Sequence, residues 1–190
     1  MDMAGERLIS APQNTVWSAL NDPEILKACI PGCESLEATS ENEMTAVAAV
    51  KLGPISARFS GRVKLSDIDP PNGYTLSGDG KGGPAGFAKG AAKVRLSPKP
   101  EGTLLTYTVE AQVGGKIAQL GARLIDATAK SMADQFFTKF TEQVQALVPK
   151  SATASVPRQA PAEMKPNTTP WLLVGAAAVI VVAAAMFLMQ

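Results

Sequence analysis

Two cysteines lie close together in the sequence, and a pair of thiols at short spacing could bind a metal ion or form a redox couple. Cys29 and Cys33 flank a segment that contains Pro31 and Gly32. A zinc site needs four ligands, and the chain has no histidine that could complete one. The pair therefore allows two interpretations, a metal or redox site and a turn with one buried thiol, and we favour the turn.

A second candidate for chemistry is the glycine-rich run from Gly78 to Gly90, GDGKGGPAGFAKG. A phosphate-binding loop has the order G-x-x-x-x-G-K-[ST] between a strand and a helix, and this run lacks that order. We predict instead a flexible hairpin that turns at residues 82–84. Its tip, with Phe87 between Lys81 and Lys89, could gate a cavity or contact a partner protein or lipid headgroups.

The composition excludes several function classes. Without histidine there is no Ser-His-Asp or Cys-His nucleophile system and no imidazole base. The 18 basic and 17 acidic residues leave a net charge of +1, so we expect no nucleic acid partner. Charged residues make up 18% of the chain and hydrophobic ones 46%. This excess of apolar residues must be concentrated in some part of the chain.

The excess lies near the end of the sequence, where the run from Trp171 to Met189 contains no charged residue. As a helix it would span about 28 Å, close to the hydrocarbon core of a bilayer. A buried helix of a soluble protein would need apolar cover on all sides, so we predict a single transmembrane helix over 171–189. Arg158 and Lys165 precede it and no basic residue follows, which favours a cytoplasmic N-terminal side and localisation to the cell membrane.

Two further segments precede this helix. Residues 150–170 contain four prolines among Ala, Ser and Thr, at positions 157, 161, 166 and 170, which is typical of an extended linker. Residues 1–149 form the predicted domain. The first residues, MDMAGERLIS, include acidic side chains and no apolar core, so they do not resemble a signal peptide.

Hydrophobic periodicity predicts the elements of the domain. A short strand ends before Pro12, and two short helices follow, the second from Pro23 after Asp22. Between Cys33 and Gly115 apolar residues alternate with polar ones, and turn signals divide the region into about six strands. The pattern then becomes helical, in a predicted helix of roughly 30 residues. Its apolar stripe, with steps of mostly three or four, consists of Ile117, Leu120, Leu124, Ile125, Thr128, Met132, Phe136, Phe140, Val144 and Leu147. We therefore predict an α+β fold in which a curved antiparallel sheet with one wet face packs against one long helix.

This layout resembles the helix-grip arrangement of START-like (SRPBCC) domains, and three segments extend the similarity. Residues 20–37 (LNDPEILKACIPGCESLE), 51–69 (KLGPISARFSGRVKLSDID) and 78–98 (GDGKGGPAGFAKGAAKVRLSP) closely resemble the family of the carbon monoxide dehydrogenase subunit CoxG. The resemblance covers essentially the whole domain. It implies the helix-grip fold, and in many members a C-terminal transmembrane segment.

The resemblance also implies a role. In that family the attributed function is to recruit a molybdenum-containing carbon monoxide dehydrogenase, or a related hydroxylase, to the cytoplasmic membrane. A bound quinone, menaquinone or ubiquinone, is compatible with this role because the electrons of the enzyme must enter a lipid-soluble carrier.

The sequence also indicates whether the domain has a cavity that could hold such a molecule. Inward positions of several strands are small, and small residues on a concave sheet leave space unless the bulky side chains of the long helix fill it. Phe59, Phe87 and Tyr107 are candidates for ring contacts, and the Tyr107 hydroxyl could donate to a quinone carbonyl. The complete set of candidate cavity residues is Phe59, Gly61, Gly78, Phe87, Ala88, Gly90, Tyr107, Phe136 and Phe140.

Three functions remain as hypotheses at this point. The first is a tail-anchored membrane adaptor for a molybdenum hydroxylase that also binds a quinone or lipid. The second is a carrier of such a ligand with no hydroxylase partner. The third is a cyclase or hydrolase, which we disfavour because the inward positions offer almost no polar groups beyond Tyr107. We predict no catalytic residue and no metal site.

Overall fold

The computed structural model describes residues 2–148, and its main feature is a curved sheet of seven antiparallel strands. The strands lie in the order β1-β7-β6-β5-β4-β3-β2. Their bounds are β1 Asp2–Ile9, β2 Cys33–Ser40, β3 Glu43–Leu52, β4 Ile55–Asp69, β5 Gly73–Lys81, β6 Phe87–Lys99 and β7 Gly102–Gly114. The six strands predicted between Cys33 and Gly115 are thus present as β2 to β7.

The sheet has one buried and one exposed face because buried and exposed residues alternate along its strands, as the sequence predicts. Along β6, Ala88, Ala92 and Val94 are buried while Lys89 and Lys93 are exposed. The pairing register places Ala92 between Leu76 of β5 and Val109 of β7, which are also buried. Such rows give the sheet a continuous apolar inner face.

Two short helices connect β1 to β2, α1 over Gln13–Leu20 and α2 over Pro23–Cys29. Asp22 caps the start of α2, which begins at Pro23 as predicted. Its carboxylate accepts hydrogen bonds from the backbone N–H groups of Glu24 at 2.9 Å and Ile25 at 3.3 Å. These bonds satisfy donors that have no partner within the helix.

The long helix, α3, covers Ala122–Leu147 and is shorter than the predicted helix. Residues Ile117–Leu120 form a separate 3₁₀ turn. Gly121, with a φ of 88°, separates this turn from α3. The left-handed conformation at Gly121 suits glycine and cannot continue an α-helix. The apolar spacing runs through Gly121 without a gap, which is why periodicity predicted a single helix.

One side of α3 packs on the inner face of the sheet and on α1 and α2. Its buried residues are Ile125, Ala129, Met132, Ala133, Phe136, Phe137, Phe140 and Val144. Leu124 and Leu147, which the sequence assigned to the apolar stripe, are exposed instead. The architecture is the predicted α+β arrangement of a curved antiparallel sheet with one long helix.

The predicted linker (150–170) and transmembrane helix (171–189) lie outside the described residues. Among residues 2–148, no helix is long and apolar enough to cross a bilayer.

Candidate functional site

The inner face of the sheet carries two adjacent cross-strand rows of small residues. In one row Gly61 of β4 pairs with Gly80 of β5, and Gly80 pairs with Ala88 of β6. In the other, Gly78 pairs with Gly90. The structure therefore brings together four of the candidate cavity residues, and it adds Gly80, which was not among the residues predicted from sequence.

One of these glycines is required by a close approach of two strands. A Cβ atom at Gly61 would lie 2.8 Å from the backbone oxygen of Asp79. Any larger residue there would force β4 and β5 apart. The close approach of the two strands therefore requires glycine at this position, whether or not a cavity lies beneath it.

Aromatic rings form a cluster where α3 meets β7. Phe136 stacks on Phe140 with ring centroids 5.5 Å apart, and it meets Phe137 edge-on at 5.2 Å. Phe137 in turn stacks on Tyr107, also at 5.2 Å. All four rings are buried. The candidates Tyr107, Phe136 and Phe140 thus belong to one cluster, linked through Phe137, which sequence reasoning missed because it follows directly after Phe136.

A charged pair lies beside this cluster. Arg7 of β1 forms an ion pair with Asp134 of α3, and its guanidinium lies 5.5 Å from the centre of the Phe137 ring. Burial raises the pKa of the Tyr107 hydroxyl, Arg7 opposes this shift, and Asp134 adds to it. Tyr107 therefore keeps its proton at neutral pH and can act as a hydrogen-bond donor.

A second tyrosine, Tyr74 of β5, also faces the interior. Its hydroxyl is fully buried and has no hydrogen-bond partner among the described residues, and burial raises its pKa. The ring of Trp17 lies 5.5 Å away. Tyr74 and Tyr107 occupy the same cross-strand row, on either side of Val94. A buried hydroxyl without a partner is costly, so Tyr74 has an unused donor on the inner face.

The two remaining candidates point in opposite directions. Phe59 is fully buried, and its ring occupies the space that a side chain at Gly82 would need. Phe87 begins β6 on the outer face of the sheet and is 48% exposed. It is therefore not brought together with the inward candidates, because its neighbour Ala88 takes the inward position.

The outer face above the small rows is also accessible. Gly78 and Gly90 line an open depression of about 930 Å³ together with Arg62, Asp79 and Lys89. Because these charges alternate in sign across the strands, the depression has no strong charge preference. It is distinct from the inner face on which the candidate site lies.

The two cysteines are free thiols, Cys29 buried and Cys33 half-buried. Burial raises the pKa of Cys29 to about 11 and also raises the pKa of Cys33, so both are protonated at neutral pH. The Cys33 thiol lies 3.5 Å from the backbone oxygen of Ser35. Within residues 2–148, no three or more His, Cys, Asp and Glu residues are grouped so that they could hold a metal ion.

Comparison with known proteins gives a family and a set of related folds. The sequence model of the carbon monoxide dehydrogenase subunit CoxG matches residues 5–145. No curated protein matches this chain.

Solved structures share the fold. A conserved protein from Geobacillus kaustophilus is 35% identical, with a TM-score of 0.73 over 77% of this chain and 96% of its own. Proteins from Thermus thermophilus and Chromobacterium violaceum are 19% and 15% identical, with TM-scores of 0.59 and 0.58. They cover 77% and 76% of this chain and 99% and 97% of their own. The shared domain makes up almost the whole of each of these three solved chains.

Proposed function

Since this chain belongs to the family of the carbon monoxide dehydrogenase subunit CoxG, we propose that it recruits a molybdenum-containing carbon monoxide dehydrogenase, or a related molybdenum hydroxylase, to the cytoplasmic membrane. The observation that carries this proposal is the family match over residues 5–145, almost the whole domain. In this proposal the chain is a non-catalytic adaptor, and the redox chemistry belongs to its partner.

The membrane attachment in this proposal is the single transmembrane helix predicted at residues 171–189. The domain would then lie on the cytoplasmic side, joined to the helix by the proline-rich linker. An uncharged run of this length supports the anchor, because it matches the thickness of the hydrocarbon core.

We further propose that the inner face binds a quinone, menaquinone or ubiquinone, or another lipid. Two features support such a ligand. The rows around Gly78, Gly80 and Ala88 present almost no side-chain volume, which suits the flat ring or the apolar chain of a quinone. The Tyr74 hydroxyl is a buried donor without a partner among the described residues, and a quinone carbonyl is an acceptor that would satisfy it.

A bound quinone would accept the electrons of the dehydrogenase and carry them into the membrane pool. The residues of this chain would bind and orient it. Tyr74 and Tyr107 keep their protons at neutral pH and can donate hydrogen bonds, while the cluster of Phe136, Phe137 and Phe140 excludes water from that part of the interior.

The second candidate function is a carrier of a quinone or lipid without a hydroxylase partner. The same small rows and the same Tyr74 hydroxyl favour it, because they concern the ligand alone. The two functions differ only in whether the domain also binds the enzyme.

Direct binding separates these two functions. Residues 1–148 should bind purified molybdenum-containing carbon monoxide dehydrogenase in solution, as measured by analytical ultracentrifugation. Organic extraction of the purified full chain followed by mass spectrometry should yield a quinone or lipid. Ligand without enzyme binding would favour the carrier, and repeated absence of any ligand, with no binding on titration, would exclude the ligand part of the proposal.

A further inference from the structure

One end of the domain, which we call the basic tip, carries an excess of positive charge. It consists of three segments, residues 51–59, 80–88 and 113–124, and contains the β3–β4 turn, the β5–β6 connection and the passage from β7 to α3. These segments contain five basic residues and no acidic one, namely Lys51, Arg58, Lys81, Lys116 and Arg123. All five are exposed.

The opposite end of the sheet has the reverse charge. It consists of the β2–β3, β4–β5 and β6–β7 turns, residues 39–43, 66–73 and 97–103. The acidic residues there are Glu41, Glu43, Asp67, Asp69 and Glu101, against the single basic residue Lys99. A domain that is nearly neutral as a whole is therefore strongly polarised along its strands.

The basic tip is also concave. An open depression of about 470 Å³ lies between β4 and the β5–β6 connection, with Arg58 and Lys116 among its lining residues. Ile55, Ala57 and Ala85 contribute apolar lining, and no acidic residue lines it. Arg58 forms an ion pair with Glu34 of β2. Lys116, the other cation that lines the depression, takes part in none of the ion pairs of the described residues.

Apolar side chains stand exposed beside these charges. Phe87 is 48% exposed and pairs directly with Lys81 across β5 and β6. Leu124 is 38% exposed and lies next to the β3–β4 turn, where its side chain approaches Gly53. Cations on the same end of the domain as exposed aromatic and aliphatic groups match the boundary between lipid headgroups and acyl chains.

We propose that the basic tip docks on the surface of a bilayer that contains anionic lipids. The cations would contact lipid phosphates, and Phe87 and Leu124 would enter the headgroup region. This inference rests on the proposed function only in taking the membrane as the place where the domain acts.

The length of the chain beyond α3 explains why such a surface would matter. The predicted linker, residues 150–170, could extend over about 65 Å at roughly 3.1 Å per residue, so a linker alone would leave the domain free to turn either end to the membrane. Docking through the basic tip would fix the orientation. The acidic end and α1 would then face away from the bilayer, available to a protein partner.

Residues 1–148 allow a test that does not involve the predicted transmembrane helix. We expect them to co-sediment with vesicles of equal parts phosphatidylglycerol and phosphatidylcholine, and not with pure phosphatidylcholine vesicles. Replacement of Lys81, Lys116 and Arg123 by Gln should weaken binding at least tenfold, since each cation near an anionic surface contributes roughly fivefold. High salt should weaken it as well.

A matched control removes the same charge elsewhere. Lys93, Arg95 and Lys99 are exposed basic residues outside the basic tip, and their replacement by Gln should change binding by less than about threefold. Phe87→Ala should weaken binding, and Ile68→Ala, at a similarly exposed residue of the acidic end, should not. No binding to phosphatidylglycerol vesicles, or an equal loss in both triple variants, would overturn the proposal. Neither result would affect the ligand extraction or the enzyme-binding test.

Discussion

Phe137 of α3 stacks on Tyr107 of β7, with ring centroids 5.2 Å apart and ring planes 24° from parallel. The contact joins the long helix to the sheet at the position where Arg7 and Asp134 also connect β1 to α3. Together the two contacts connect α3 to both β7 and β1.

The first prediction concerns this contact. Phe137→Ala should lower the free energy of unfolding by about 3–5 kcal/mol, because a buried ring is lost and a cavity remains. Urea denaturation measures this. Phe87→Ala removes the same ring from an exposed position and should cost less than about 1 kcal/mol. Equal losses in the two variants would mean that the Phe137 ring does not hold α3 on the sheet.

The second prediction concerns Cys29 and pH. Burial raises the pKa of its thiol from 9.0 to about 11, so the folded state favours the protonated form. The stability associated with this thiol is intact below pH 9 and is lost as the pH rises to about 11. Over that interval the wild type should lose about 2–3 kcal/mol more unfolding free energy than Cys29→Ala. If the unfolding free energy of the two proteins changes equally between pH 9 and pH 11, the raised pKa of Cys29 is contradicted.

The third prediction tests whether the small rows leave space for a ligand. Ala88→Leu adds a bulky side chain at a buried inward position, and should weaken binding of a water-soluble menaquinone or ubiquinone analogue at least tenfold. If the space is a ligand cavity, stability should change by less than about 1 kcal/mol. If α3 already fills it, the added volume should cost about 1–3 kcal/mol.

The control for this experiment lies next to it on the same strand. Ala91 is exposed on the outer face of β6, so Ala91→Leu should alter neither analogue binding nor stability. Fluorescence titration and urea denaturation of both variants separate the two outcomes. Unchanged binding in Ala88→Leu would place the ligand away from the small rows.

Much of the fold could be predicted because its signals are local. Alternation along each strand identifies β2 to β7, and Asp22 followed by Pro23 identifies the start of α2 from neighbouring residues alone. The break at Gly121 could not be found in this way, because Ile117, Leu120 and Leu124 keep helical spacing on both sides of it. The left-handed conformation of Gly121 determines where α3 begins.

The candidate site was harder to predict because it depends on contacts between distant segments. Phe137 was missed because an apolar stripe with steps of three or four residues includes Phe136 and therefore skips the residue after it. In the structure α3 buries both rings. Tyr74 is inward by the same alternation as Gly78, but only the structure reveals that its hydroxyl lacks a partner among the described residues. The polarity of the two ends is invisible in sequence because the segments that form each end are far apart in the chain.

Recruitment of a molybdenum hydroxylase to the membrane, through the last residues of this chain, is the central claim. The most direct measurement compares carbon monoxide dehydrogenase activity in membrane and soluble fractions of cells that make either the full chain or a chain ending at Pro170. We predict that the activity is in the membrane fraction with the full chain and in the soluble fraction with the shortened chain, which should still bind the enzyme in solution. Activity that stays with the membranes after removal of residues 171–190 would contradict the claim.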